Sequence, residues 1–413
     1  MSVLIAGAGI GGLTLALRLH QHGIHCRIFE AVPTIEPVGV GINLLPHAMR
    51  ELSELGLTDE LVSAGIETRE MHFYNRFGQF IFAEPRGVDA GYEWPQVSLH
   101  RGTLQRILLQ AVVDRLGQDA ITTGRRLVFA DQNPSSVIAC FDVAGQGGRV
   151  EEAAGEVLIG CDGIHSTVRR LLYPAPDPLK YSGITMWRGV TRWAPILGGA
   201  TMAYAGWLKT GKLIVYPIDD TRDAKGRQLI NWLVEFYVPP REPNGDWSRP
   251  GAYEDFLWAV EDMQFDWLDV PAFVKAADFV YEYPMVDRDP LPYWSDGRIT
   301  LLGDAAHPMY PRGSNGAGQA ILDATALADL LADQHDPLVA LHMYDDVRRP
   351  ATTAVVEANR TNPPDAILRE VYERTGDKPF DNINDVVSRF ELKALSDQYK
   401  RVAGFDAATM RER

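Results

Sequence analysis

Val3-Leu4-Ile5-Ala6-Gly7-Ala8-Gly9-Ile10-Gly11-Gly12-Leu13 is the stretch that decides how this chain folds. Ser2 to Ala6 reads as a short buried strand, and Ile10 to His22 as a helix, because Leu13, Ala16 and Leu17 recur at helical spacing. Between them Gly7, Gly9 and Gly12 give the GxGxxG spacing. The first glycine permits a tight turn, the second lets backbone amides approach a pyrophosphate, and the third lets helix and strand pack closely. The helix N-terminus adds partial positive charge where phosphates would lie. A second apolar run, His25 to Phe29, ends in Glu30, 18 residues beyond Gly12 and placed to accept hydrogen bonds from ribose hydroxyls. This βαβ unit predicts dinucleotide binding through Gly7, Gly9, Ile10, Gly11, Gly12, Glu30 and its neighbour Ala31. The turn alone does not separate FAD from NAD, although Glu30 would repel a 2′-phosphate.

Working outward, 413 residues exceed the usual size of one hydrophobic core, so at least two domains are expected. With 46% hydrophobic and 23% charged residues the composition is that of an ordinary globular protein. A formal charge of −15 repels a phosphate backbone and argues against a nucleic-acid partner. The three cysteines, Cys26, Cys140 and Cys161, form no CxxC pair, so neither a zinc site nor a disulfide framework is indicated, and a reducing cytoplasm is expected. No apolar run approaches the roughly 20 residues of a bilayer span, and no signal peptide is recognisable, which predicts a soluble protein without a membrane partner. His20, His22 and His25 are close in sequence, but His20 and His22 point to opposite sides of a helix, so no metal is predicted.

Residues 46–65 read as helical, as does Arg101 to Leu116 with Leu104, Ile107, Leu108 and Ala111 on one face. From about 172 to 285 the texture changes to short runs rich in Trp, Tyr, Val and Thr, broken by Gly and Pro, which predicts a β-rich domain. Helical sequence returns after Gly303, with Gln319 to Asp333, a helix near 340–359 and a polar helical tail to Arg413. The expected division is a discontinuous nucleotide-binding domain (1–75, 98–171 and 286–350), a β-sheet substrate domain (76–97 and 172–285), and a C-terminal helical region (351–413).

Two further motifs follow strands. Val157-Leu158-Ile159-Gly160-Cys161-Asp162-Gly163 runs into a helix start, and Thr300-Leu301-Leu302-Gly303-Asp304-Ala305-Ala306-His307-Pro308 is followed by Gly313, Gly316 and Gly318. Taken singly, Asp162 and Asp304 read as turn or capping residues. Together, in this order, the GxGxxG turn, the DG pair and the GD pair resemble the class A flavoprotein monooxygenases of the para-hydroxybenzoate hydroxylase fold, over roughly residues 1–350. More narrowly, Gly183 to Thr191, Tyr283 to Pro290 and Asn315 to Asp323 look like the phenazine-modifying branch, that of the 5-methylphenazine-1-carboxylate 1-monooxygenases.

The resemblance implies an α/β fold: a Rossmann-like, GR2-type FAD-binding domain with an inserted β-sheet substrate domain and C-terminal helices. It implies bound FAD, transient NADH or NADPH, and hydroxylation of a small aromatic or heteroaromatic, phenazine-like or carboxylated substrate by O2 through a C4a-hydroperoxyflavin. By the same likeness Asp304, Gly316 and Ala317 contact FAD, Asp162 supports that site, and Gly41, Arg101, Gln105 and Val128 join the cofactor contacts. Arg188 is a candidate partner for a substrate carboxylate. Tyr204, Tyr216, Trp232 and Met309-Tyr310-Pro311 are candidate pocket walls, although each aromatic reads equally well as β-domain core. No catalytic base is assigned; His47 and His307, in segments expected beside the flavin, are the candidates. The protein is expected to act as a monomer or homodimer. A flavin oxidase or dehydrogenase without oxygen insertion, and a non-catalytic FAD-binding sensor, stay open at this point; a flavin halogenase is disfavoured by the missing WxWxIP signature.

Overall fold

The computed structural model describes residues 1–36, 39–239, 249–406, 408 and 410; the end of the expected helical tail, 411–413, lies outside them. A five-stranded sheet carries the nucleotide unit, in the order Ile299–Leu301, Val157–Gly160, Ser2–Ala6, His25–Phe29, Ile121–Thr122. All its pairings are parallel, with Ile5 opposite Ile159 and Ile28, and Ile159 opposite Thr300. Val3, Leu4 and Ile5 are fully buried in succession, as a parallel strand covered on both faces requires. The helices Ile10–Gln21, Arg101–Leu116 and Gly316–Asp333 pack on this sheet in one core with it. An antiparallel meander, Arg125–Gln132, Val137–Val143 and Val150–Gly155, sits beside it.

The second unit is a seven-stranded sheet in the order Val280–Asp287, Lys180–Trp193, Gln228–Tyr237, Gly211–Asp219, Thr201–Trp207, Glu70–Tyr74, Phe80–Pro85. Its pairings are antiparallel except Thr201–Trp207 against Glu70–Tyr74. One face (Met71, Phe73, Met202, Tyr204, Ile214, Tyr216 and Leu233) joins Ile367, Leu368 and Leu392 of the C-terminal helices. The other face (Trp187, Val215, Trp232 and Val234) packs on Phe256 and Phe273.

Two expected boundaries are corrected. Residues 70–74 belong to the large sheet rather than to the nucleotide unit, because Glu70–Tyr74 hydrogen-bonds to both Thr201–Trp207 and Phe80–Pro85. The boundary at 350/351 falls inside one helix, Pro337–Thr361. Pro350 does not end that helix: it lies on the exposed face, where the Asp346 carbonyl it leaves unbonded is open to water. The remaining helices, Ala366–Thr375, Ile383–Val386 and Arg389–Val402, cap the large sheet. Among the described residues no helix is long and apolar enough to cross a membrane.

Candidate active site

The turn after Ser2–Ala6 admits only glycine at two places. Gly7 has φ +108°, and a Cβ there would lie 2.4 Å from the Cys161 carbonyl oxygen; at Gly12 it would lie 2.1 Å from the Gly7 carbonyl oxygen. Gly9, at the helix N-cap, meets nothing within 4 Å, so its side of the turn is open. Helix Ile10–Gln21 has no side-chain cap and no acid in its first turn, which leaves its leading amides for an anion. Helix Gly316–Asp333 begins in the same way, and Gly316 also meets nothing within 4 Å. The two starts are neighbours, since a Cβ on Gly11 would lie 3.5 Å from the Ala320 Cβ. Ala317 is half-buried in the first turn of the second helix.

Glu30 fixes the rim of this cradle. Its Oε2 accepts from the Ala8 amide at 2.7 Å and its Oε1 from the Val32 amide at 3.0 Å, leaving lone pairs on both oxygens for ribose hydroxyls. Gln105 donates from Nε2 to the Ala8 carbonyl at 3.0 Å and so braces the turn from behind. Ala31 is half-buried next to Glu30, and Val128 is 44% exposed on the strand whose Arg125 amide binds the Glu30 carbonyl. Asp162 is committed to structure: Oδ2 accepts from the Thr167 amide at 2.6 Å and Oδ1 from the Ser166 hydroxyl at 2.5 Å. It holds Cys161 against Gly7, supporting the cradle rather than facing it.

The GD pair sits on a buried ion cluster. Asp323 accepts from the Gly303 amide at 3.2 Å, lies 2.5 Å from His307 Nε2, and accepts from Arg348 Nε at 2.7 Å. Burial alone would raise the Asp323 carboxyl, but His307 and Arg348 hold it below the usual carboxylate range. Asp304, by contrast, is accessible to solvent though protein crowds it, and that crowding raises its pKa against the pull of His307 and Arg101. Arg101 is exposed at the start of Arg101–Leu116. Two uncapped helix starts, an open Gly9 and a solvent-accessible Asp304 fit a pyrophosphate and a polyhydroxylated chain, which are the parts FAD brings.

Both histidine candidates are buried. His307 lies under the GD turn, bonded to Asp323 and packed on Trp294 at 5.2 Å. His47 is stacked on Phe405 at 5.4 Å, with Nε2 3.0 Å from where a Gly318 Cβ would stand. Neither lines the cavity described next, although Phe405 does.

That cavity, partly open to the surface, lies between the large sheet, the Gly313–Ser314 turn and the C-terminal helix Arg389–Val402. Tyr204 lines it, stacked on Phe73 at 5.4 Å, its phenol pushed well up by burial. Tyr216 shares that sheet face but is tied to Arg188, Asn43 and Asn231. Arg188 donates to the Gly41 carbonyl at 3.0 Å while Asn231 accepts from the Gly41 amide at 2.7 Å, so these residues clamp the strand Gly41–Leu44 onto the sheet. Gly41 has no room for a side chain: a Cβ would lie 2.7 Å from Asn231. Trp232 is corrected outright. It lies opposite Val215, on the back of the sheet, where its Nε1 donates to Thr191 Oγ1 at 3.0 Å. Met309 and Tyr310 also turn into the core, with burial pushing the Tyr310 phenol up to about 12; Pro311 is exposed, and the wall is formed instead by Gly313 and Ser314.

The turn itself is held by Tyr399, which sequence reading missed. Its hydroxyl accepts from Asn315 Nδ2 at 2.9 Å and lies 2.7 Å from Asn359 Oδ1 and 3.1 Å from the Arg312 carbonyl. Arg86, Gln96, Met71, Met202, Lys400 and Phe405, also missed, complete the walls; none belongs to a motif, and they are brought together only by the fold.

A sequence family described as an FAD binding domain matches residues 1–178 and 257–359, and the chain belongs to it. Family membership and the relatives that follow make it an NAD(P)H-dependent flavoprotein aromatic monooxygenase with FAD as its cofactor, which the cradle and inserted sheet fit. Over 361 residues the chain is 44% identical to phenazine 1,6-dicarboxylic acid hydroxylase PhzS of Lysobacter antibioticus, covering 87% of this chain and 89% of that one. Salicylate hydroxylase in a substrate complex shares the fold at a TM-score of 0.75 and 23% identity, covering 100% of this chain and 97% of the other. Klebsiella pneumoniae HpxO complexed with FAD and uric acid does so at 0.75 and 21%, over 98% and 92%.

Proposed function

We infer that the protein hydroxylates a carboxylated, fused-ring aromatic of the phenazine type, bound in the cavity between the large sheet and the Gly313–Ser314 turn. The observation that carries this reading is the cavity itself. Its walls combine the apolar Met71, Met202, Tyr204 and Phe405 with a few polar groups, the make-up of a small-molecule site. Thioether and aromatic walls suit a flat, polarisable ring. The 44% identity to a phenazine dicarboxylate hydroxylase supports the same ring class.

FAD, reduced by NAD(P)H, supplies the oxygen-activating chemistry. The chain's own residues position and enclose. Gly313 and Ser314 separate the cavity from the cofactor-facing helix, and Ser314, with φ +57°, keeps its turn because Asn43 Nδ2 reaches its Oγ at 3.3 Å. Phe405, held by the bond from Tyr92 Oη to its carbonyl at 2.7 Å, closes one wall against water. Tyr204 and Tyr399 stay neutral because burial raises both phenols, so they act as hydrogen-bond donors and not as bases. An electron-rich ring needs no stronger base. Dependence on NAD(P)H supports a cytoplasmic setting.

The test is NADH and NADPH oxidation by the FAD-loaded protein against phenazine, quinoline, pyridine and benzene carboxylates, with mass spectrometry of products formed under labelled dioxygen. One labelled oxygen in a phenazine product is expected. Stimulated turnover with no label in the product would sink the reading in favour of an oxidase.

A further inference from the structure

The cavity carries fixed charge of one sign. Among the described residues that line it, only Arg86 and Lys400 are charged, and both are cations. Both are tied to a single carboxylate behind the wall: Arg86 Nη2 donates to Glu84 Oε1 at 2.5 Å, and Lys400 Nζ donates to Oε2 at 2.7 Å. Ser396 also donates to that Oε2, at 2.7 Å. Asp397 is 3.7 Å from Lys400 but 38% exposed, where water screens it; Asp406, half-buried near Tyr92, does not line the cavity. One buried carboxylate therefore faces two cations.

Arg86 is also incompletely satisfied. Its side chain is 9% exposed, and among the described residues its Nε has no hydrogen-bond partner, nor has Gln96 Oε1 on the same wall. A buried guanidinium N–H left unpaired is costly, and a small shift of the Arg86 side chain toward a ligand oxygen in the cavity it lines would pair it. Turning the Gln96 amide over would present a second donor beside it. Arg188 also has an unpaired Nε, but it is bonded to the Gly41 carbonyl through Nη2 and lies outside the cavity, so position sets Arg86 apart.

We propose that Arg86, held by Glu84 and seconded by Lys400, is the specificity residue that recognises a carboxylate on the aromatic substrate and selects aromatic acids over their neutral analogues. This rests on the reading that the cavity holds the substrate. Glu84 fixes the guanidinium and offsets one cation, so the wall does not hold two uncompensated charges. The excess positive charge and the unpaired Nε wait for the ligand.

Dissociation constants for acid–carboxamide pairs test this, read from the absorbance of bound flavin: benzoate with benzamide, quinoline-2-carboxylate with its amide, and phenazine-1-carboxylate with its amide. The wild type should bind acids more tightly. Arg86→Gln should weaken the acids about tenfold to a hundredfold while leaving the amides within about twofold. Arg86→Lys should recover part of the loss. Glu84→Gln should leave acid binding equal or tighter. If Arg86→Gln does not fold, Lys400→Met takes its place, with the same acid-selective loss expected. Equal weakening of acids and amides, or no acid preference in the wild type at any ring size, overturns the proposal. The ring class fails separately: an Arg86-dependent preference for benzoate or quinoline acid, with phenazine acid neither bound nor turned over, leaves the anion subsite standing.

Discussion

Replacing Asp365 by Asn removes one charge from a buried set of four. Asp365 Oδ2 accepts from Lys212 Nζ at 2.6 Å and from Arg312 Nη2 at 2.9 Å, and Glu235 lies 2.5 Å from the same Lys212. Lys212, Glu235 and Asp365 are all buried, so water cannot make up for a missing partner. Asp365→Asn leaves two cations facing one carboxylate, and breaking a buried pair in this way costs about 3–5 kcal/mol. Against a total of roughly 5–15 kcal/mol, that is a large share of the stability of the fold. The loss also has an address. Arg312 leads into Gly313 and Ser314, so the variant should loosen the turn between cavity and cofactor helix and raise the FAD dissociation constant. Urea unfolding of the apo and FAD-loaded protein measures the first effect, and titration with FAD the second. The double variant Lys212→Met with Asp365→Leu should regain most of the loss, because Arg312 and Glu235 then balance each other. A decrease below about 1 kcal/mol for Asp365→Asn, with FAD affinity unchanged, would refute the account by showing that the set is effectively solvated.

Gly9→Ala should fold and lose most of its FAD, seen as colourless protein with a normal circular dichroism spectrum, whereas Gly12→Ala should fail to fold, because its Cβ would lie 2.1 Å from the Gly7 carbonyl oxygen. Trp232→Phe should lower unfolding free energy by about 1–3 kcal/mol through loss of the bond to Thr191, with substrate dissociation constants unchanged in the same preparation; a changed substrate constant would return Trp232 to the site. Asp323, Asp365 and Glu84 are all held below the ordinary carboxylate range. Their contribution is therefore complete above a pH of about 4 and is lost as the pH falls through the depressed values, so unfolding free energy should drop steeply on acidification below that point. A flat profile from pH 5 to 3 would count against it.

Local signals carried most of the cofactor half. The strand, glycine turn and helix of the first 21 residues were legible because their chemistry is contiguous, as was the helix Arg101–Leu116, whose bounds match the reading. The substrate half was not. Whether Trp232 or Asn231 faces the site depends on which way a strand of period two is turned, and that is set by its pairing with Gly211–Asp219, which no local pattern reveals. Strand Glu70–Tyr74 was misplaced for the same reason: its partner Thr201–Trp207 follows far along the chain. His47 and His307 sit in the right segments, but sequence proximity to a motif does not say which side of the backbone a ring takes. Glu84 and Lys400, 316 residues apart, have no shared motif to announce them.

The cavity draws Leu45, Met71, Arg86, Met202, Gly313 and Tyr399 from six separate stretches of chain, and of these only Gly313 belongs to the segment between the GD pair and the cofactor helix. Chamber and cradle thus meet at the Gly313–Ser314 turn and through Phe405, which stacks on His47 beside Gly318. On the proposal that this chamber holds the substrate, walls such as Met71 and Met202 can change without touching the glycine turn, Glu30 or the ion cluster under the GD pair, so ring preference can shift while the cofactor half stays as it is.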